Sequence, residues 1–363
     1  MTKHDDARCQ SFMVPVTVEN VPDARLYGEL CVPSGRTPST VQLLVHGTTY
    51  NHNYWDWPED PEVHSHVRAA LKAGYATFNV DRLGVGQSTK PAAHLVTLDA
   101  TVDTLHQVIT QLRAGAIGDQ KFSRVVYFGS SLSTAYGWLE AALHNDVDAF
   151  VLTGLLHFTR PTFLGLVQQN LYSVSEDPTF SKAGLDGGYI TNRPGSKAVF
   201  FYNMPNADQH VIDTDEQLKD VASGLLIEQS VPLVLAQDPK DSPSRLIRVP
   251  TLVVLGEQDM TASGPDGIVC TDETVKSAEA PYYPVVPGGN RRPRRRKDRA
   301  LAAASSQRAQ HDRLHYRLGK PPRRRQSTVG SGTRLTAKRR LGAGPPRSAS
   351  GCRQMSNLAP YRL

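Results

Sequence analysis

Five short apolar runs punctuate residues 41–255, and stretches of helical periodicity fill the gaps between them. That alternation leaves the chain few architectures. Val41-Gln42-Leu43-Leu44-Val45 runs into His46-Gly47, and 75–80 runs into Asp81-Arg82-Leu83-Gly84. The run 124–128 meets Gly129-Ser130-Ser131-Leu132-Ser133; 147–153 and 251–255 complete the set. Apolar runs of this length, bounded by turn residues, read as strands buried on both faces. Among the helical stretches, 66–73 is closed by Gly74. Over 97–113, Leu98, Val102, Leu105, Ile109 and Leu112 recur at spacings of four and three, giving one apolar face. A third helix runs from the turn at Ser131 to about His144. Strands alternating with helices predict an α/β fold with a mostly parallel sheet flanked by helices. Residues 13–33 alternate apolar and polar, which predicts an opening antiparallel hairpin. Residues 157–230 break the rhythm with polar turns, aromatics and Pro-rich joints. We read them as an inserted cap over the strand ends, where sheets of this kind bind ligands.

The net charge of +6 combines two unlike regions. Residues 285–363 hold 21 of the 41 Lys and Arg residues but only two acids, Asp298 and Asp312. Residues 1–284 are therefore an acidic domain, and 285–363 form an Arg-, Pro-, Ala-, Gly- and Ser-rich tail with runs such as Arg294-Arg295-Arg296-Lys297 and Arg323-Arg324-Arg325. A segment this poor in aliphatics cannot offset its ordering entropy by burial, so we expect it to be disordered. The same composition is what an out-of-frame translation of GC-rich DNA gives, which resequencing the coding region tests. The tail has two Tyr and no Phe or Trp to stack on bases, which argues against a nucleic-acid arm. Cys9, Cys31, Cys270 and Cys352 show no metal-type spacing and read as reduced thiols. The start, Met1-Thr2-Lys3-His4-Asp5-Asp6, has no apolar run of the kind a secretory signal carries, and no stretch is long enough to span a membrane. The expectation is a cytoplasmic protein without a membrane partner; oligomeric state is left open.

The chemistry gathers at Ser131. Small residues on both sides permit a sharp strand-to-helix turn that lifts its hydroxyl above the sheet edge. The turn also aims the helix N-terminus, with the Leu132 N–H, at the reacting oxygen. His46-Gly47-Thr48-Thr49 closes an earlier strand, and its Thr48 N–H, made approachable by Gly47, is the candidate second oxyanion donor. His46 precedes the nucleophile and reads as structural. Asp259, just past the strand 251–255, suits the carboxylate that orients a histidine; Glu257 and Asp238 are weaker candidates.

Over about residues 25–284 the chain resembles the α/β-hydrolase superfamily. The likeness is carried by Leu44-Val45-His46-Gly47, by Asp81-Arg82-Leu83-Gly84-Val85-Gly86-Gln87-Ser88, by the Ser131 turn, and by Val249–Asp259. It implies a Ser–Asp–His order and no metal or cofactor. Epoxide hydrolases and haloalkane dehalogenases of the superfamily use an Asp nucleophile, so Ser131 argues against them. The resemblance also implies a histidine about 30 residues after Asp259, but the pattern stops after 272–284. The remaining candidates are His311 and His315, with His311 taken as the base.

The expected activity is hydrolysis of a carboxylic ester or lactone through an acyl-enzyme. The aromatic residues of the cap (Phe158, Phe163, Tyr172, Phe200, Phe201 and Tyr202 among them) suggest a hydrophobic small-molecule substrate, such as a macrolactone natural product in antibiotic resistance or biosynthesis. A thioesterase, a C–C bond hydrolase and a non-catalytic binding protein are the competing readings.

Overall fold

A computed structural model describes residues 7–235 and 238–284 and a strand at Arg313–Arg317. In chain order its main elements are β1 (Ala7–Pro15), β2 (Arg25–Pro33), β3 (Thr40–Val45), α1 (Pro61–His64), α2 (His66–Lys72) and β4 (Ala76–Val80). There follow α3 (Leu98–Ala114), β5 (Arg124–Ser130), α4 (Leu132–Leu143), β6 (Ala149–Thr153), α5 (Pro161–Asn170), β7 (Leu171–Ser173) and β8 (Tyr189–Asn192). The remainder is α6 (Ser196–Phe201), α7 (Gln209–Gln217), β9 (Ala222–Ser223), α8 (Gly224–Val234), β10 (Thr251–Gly256), α9 (Asp272–Glu279) and β11 (Arg313–Arg317).

Eight strands form one sheet in the order β1-β2-β4-β3-β5-β6-β10-β11. The five central strands, β4 to β10, run parallel. This is the sheet the apolar runs predict, because residues such as Leu43, Leu44, Phe78, Tyr127, Phe128 and Leu152 are buried whichever face they point to. The opening hairpin packs antiparallel against β4 and begins at Ala7, earlier than the alternation from residue 13 suggested. Helix α3 buries the stripe read from the sequence: Leu98, Val102, Leu105, Ile109 and Leu112 are sequestered, together with Val108. At about 1.5–3 kcal/mol per fully buried aliphatic side chain, this stripe fixes α3 to the sheet. The Thr97 hydroxyl caps its start by accepting from the Ala100 N–H at 3.1 Å, and Gly115 ends it with a φ of +79°.

Three features differ from expectation. The inserted region carries its own antiparallel sheet, β7-β8-β9, besides helices α5 to α8. Its strands are two to four residues long, too short to show a period in sequence. At the far edge of the main sheet β11 pairs antiparallel with β10, so the sheet does not end at the last apolar run. Finally, the reading of all four cysteines as reduced thiols is corrected: Cys9 and Cys31 form a disulfide. The hairpin register places them directly opposite one another, a proximity that spacing alone did not reveal. Cys270 is a buried free thiol, and Cys352 lies outside the described residues, as do the basic runs of the tail.

Candidate active site

The register of the parallel strands aligns their C-terminal ends. Val45 of β3 sits opposite Gly129 of β5, Ser130 of β5 opposite Thr153 of β6, and Thr153 opposite Val254 of β10. The loops leaving these strands therefore emerge side by side, bringing together His46–Thr49, Ser131, Gly154 and the segment ending at Asp259. Strand order reverses between β3 and β5, since β4 lies on one side and β6 on the other. Open α/β sheets bind ligands at such a crevice.

Ser131 occupies the junction of β5 and α4 with φ +54° and ψ −127°, a conformation that L-residues rarely adopt. Its N–H donates to the Thr153 carbonyl at 2.7 Å, and its carbonyl accepts from the Thr134 N–H at 2.8 Å, so the turn is held at both ends. The residue is half-buried. Gly129 is required by packing: a β-carbon there would lie 2.7 Å from the Ser133 carbonyl oxygen. Gly47 lets the neighbouring loop come close, since its β-carbon would stand 3.2 Å from Ser131 Cβ. Ser133 stands where such turns often have a second glycine. It is fully buried and its hydroxyl donates to the His46 carbonyl, tying the Ser131 turn to the His46–Thr49 loop.

Leu132 is the first residue of α4, so its N–H belongs to the helix-terminal set that lacks intrahelical partners. The Thr48 N–H donates to no acceptor among the described residues. Thr49 follows with a φ of +57°, and its hydroxyl donates to Asn192 Oδ1 of the cap. The Asp220 N–H donates to the Thr49 carbonyl at 2.9 Å, and the Tyr50 hydroxyl donates to Asp215 Oδ2 at 2.9 Å. Strong side chain and backbone ties thus hold the loop that carries Gly47 and Thr48 against the cap.

Asp259 lies on the loop after β10. Its Oδ1 accepts from the Thr261 N–H at 3.0 Å and the Thr261 hydroxyl at 2.6 Å, while Oδ2 accepts no hydrogen bond among the described residues. A β-carbon placed on Gly154 would be 3.8 Å from Asp259 Oδ2 and 3.9 Å from the Ser131 nitrogen, so Asp259 and Ser131 flank the same glycine. Burial pushes the Asp259 carboxyl above its ordinary range despite the Thr261 bonds. Glu257 is exposed, and Asp238 is an exposed cap whose carboxylate accepts from the Lys240 N–H at 2.9 Å.

Among the residues whose side chains are described, no histidine hydrogen-bonds to Ser131 or Asp259. His46 has both ring nitrogens occupied, Nδ1 by the Gly47 carbonyl at 2.9 Å and Nε2 by the Arg82 N–H at 3.4 Å. Burial, then the Arg82 charge, depress it to about 3, so it stays neutral. Two further pairs escaped the sequence reading. His52 Nδ1 binds the Asp81 carboxylate at 2.9 Å; burial alone would raise the Asp81 carboxyl, but the His52 bond and charge together with the Gln87 N–H hold it below its usual value. His157, buried after β6, bonds Glu279 at 2.9 Å and both Ser242 and Ser244 at 3.0 Å. Its ring is stacked between Trp138 and Tyr282 at 3.8 and 4.0 Å, and its side chain is fully enclosed. Each pair joins residues far apart in sequence, so only the fold reveals it. His311 lies outside the described residues. His315 lies on β11 opposite Val254.

The chain matches the model of the alpha/beta hydrolase family over residues 42–303 and belongs to that family. No curated protein sequence matches it. Among solved structures it is similar to an esterase (EaEST) from Exiguobacterium antarcticum, at 18% identity, with 74% of this chain and 88% of that one covered and a TM-score of 0.49. It is also similar to a soluble variant of monoglyceride lipase from Saccharomyces cerevisiae, at 15% identity, with 69% and 79% covered and a TM-score of 0.45. No helix among the described residues is long and apolar enough to cross a membrane.

Proposed function

We propose that this hydrolase is a serine esterase or lactonase whose nucleophile is Ser131. The observation that carries the reading is the strained Ser131 turn, at the mouth of the strand-order reversal, with Asp259 across Gly154. In this mechanism a histidine takes the proton from Ser131 Oγ as the oxygen attacks the acyl carbon. The Leu132 and Thr48 N–H groups stabilise the resulting oxyanion, each donor being worth about 3–4 kcal/mol of barrier. The carbonyl re-forms, the leaving alcohol takes the proton from the histidine, and water activated by the same ring releases the acid. Asp259 Oδ2 is the oxygen left to orient that ring. His311 is the base in this reading, contributed from outside the described residues.

A hydrophobic acyl or lactone substrate is the narrower reading of the aromatic cluster where the cap meets the Tyr50 loop, a cluster that also holds the buried Lys197–Asp215 pair. Tyr50 packs against Tyr54 at 5.2 Å and against Phe201 at 5.1 Å. A macrolactone, with a role in resistance or biosynthesis, is the narrower form of this proposal. The cytoplasmic assignment is weakened by the Cys9–Cys31 disulfide, because such bonds persist mainly in oxidising compartments.

The experiment is hydrolysis of a panel of p-nitrophenyl, lactone and CoA esters by the wild type, Ser131→Ala and His311→Ala. Both variants are expected to lose at least about 1,000-fold in kcat/KM. Equal rates for wild type and Ser131→Ala remove the nucleophile assignment, whereas loss only in Ser131→Ala moves the base elsewhere. Preference for CoA esters favours a thioesterase, and cleavage of dienoic ketones alone favours a C–C hydrolase. The competing reading is a non-catalytic binding protein. Failure of Ser131 to label with a fluorophosphonate would support it.

A further inference from the structure

Away from the strand ends that carry Ser131, helices α3 and α4 and the turn leading into β6 enclose a cluster that the proposed hydrolysis does not use. His106 is on α3, Glu140 is in the last turns of α4, and Asp146 is three residues before β6. One ligating atom from each lies within 4.8 Å of the others. Glu140 is fully buried. Neither of its carboxylate oxygens, nor Asp146 Oδ1, receives a hydrogen bond among the described residues. The remaining oxygen, Asp146 Oδ2, meets His106 Nδ1 at 2.6 Å.

Buried carboxylate oxygens this close together demand compensation, because isolated buried carboxylates are strongly disfavoured, and the Asp146 N–H beside Glu140 offsets only part of that cost. Among the described residues no nearby basic side chain hydrogen-bonds to either Glu140 oxygen or to Asp146 Oδ1, and the Arg113 charge acts on Glu140 only from a distance. Arg113 donates to the Asp146 backbone carbonyl at 2.5 Å and to Asp148 at 2.7 Å, bypassing both cluster carboxylates. His144 stacks on His106 at 3.9 Å but directs Nε2 to Asp103 at 3.2 Å. Two carboxylates packed this closely must be bridged by a shared proton or by a cation. A divalent ion supplies the same bridge with both groups ionised.

We infer that His106, Glu140 and Asp146 form a binding site for one divalent transition-metal ion of the zinc class. One imidazole nitrogen with two carboxylates is a donor set that zinc accepts, at about 2.0–2.2 Å per ligand. The nitrogen argues against calcium and magnesium, which favour all-oxygen sites. The ion replaces the bridging proton, and that proton leaves to solvent. His106 is part exposed, so water can reach the site and fill a fourth position. The site joins α3, α4 and the start of β6, so its role is to fasten these elements together.

The test uses the full chain after chelator treatment, titrated with Zn²⁺ alone by calorimetry and by equilibrium dialysis, with thermal unfolding in parallel. One ion per chain and a rise in Tm are expected. His106→Ala and Glu140→Gln should each weaken binding by more than about 100-fold, beyond the 10–100-fold that loss of an outer hydrogen-bond partner causes. Gln keeps an N–H donor for Asp146, so Glu140→Gln should fold without metal; if it does not, the partly exposed His106→Ala decides alone. No saturable binding, or binding undiminished in the variants, overturns the site and leaves Glu140 and Asp146 as a carboxylic acid–carboxylate pair sharing a proton.

Discussion

Replacing Ser131 with glycine should make the protein more stable while abolishing turnover. Ser131 is held at φ +54° and ψ −127°, where glycine is at ease and an L-residue is strained. Strain of this type costs about 1–3 kcal/mol. Glycine gives back roughly 0.5–1 kcal/mol through the greater freedom of its unfolded chain. The net gain is about 1 kcal/mol, or about 2–4 °C in Tm for a domain of this size. Ser131→Ala is the matched control, because it also removes the hydroxyl but keeps the β-carbon and hence the strain. The measurement is the difference in unfolding free energy between the two variants, from denaturant titrations with equal m-values. Both should be inactive, and only Ser131→Gly should exceed the wild type in stability. A Ser131→Gly protein no more stable than Ser131→Ala would mean that the turn stores no strain at its nucleophile. The case for a turn built for chemistry would then fail.

Other consequences can be measured in the same way. Gly129→Ala drives a β-carbon to 2.7 Å from the Ser133 carbonyl oxygen, so it should cost about 1–3 kcal/mol and reduce kcat, read by denaturation and ester turnover. Opening the disulfide through Cys9→Ser and Cys31→Ser frees a separation of 22 residues, and the unfolding free energy should fall by about 3 kcal/mol; the pair is expected to match reductant-treated wild type. His46 is depressed to about 3 when folded and titrates near 6.5 when unfolded, so between those values the unfolded chain binds more protons. Stability should therefore rise with pH through that window and fall on acidification, and His46→Gln should flatten the curve there; parallel curves for variant and wild type would contradict this.

The central sheet was legible because strands buried on both faces are apolar at every position, leaving runs such as Val41–Val45 that no surface element would carry. That Ser131 and Asp259 stand just beyond the ends of β5 and β10 was legible too, because each comes a few residues after such a run. What escaped the sequence depends on register and on long-range packing. Cys9 and Cys31 meet only when the hairpin pairs in one register. His157 finds Glu279 across 122 positions, and His106 approaches Glu140 only when α3 and α4 pack together. Ser133 reads in sequence only as a small flanking residue; its hydroxyl serves the His46 carbonyl, a partner 87 positions away. Strand β11 is rich in charge, Arg-Leu-His-Tyr-Arg, and its pairing comes from backbone groups that leave no compositional trace.

The bonds from Thr49 and Tyr50 to Asn192, Asp215 and Asp220 carry a mechanical consequence. The loop that carries Thr48, the proposed oxyanion donor, also moors the roof, so the roof cannot swing aside as an independent lid. Any hinge that lifted it would drag Thr48 off the reacting oxygen. Admission of a bulky guest and stabilisation of its tetrahedral intermediate would then belong to separate moments of the cycle.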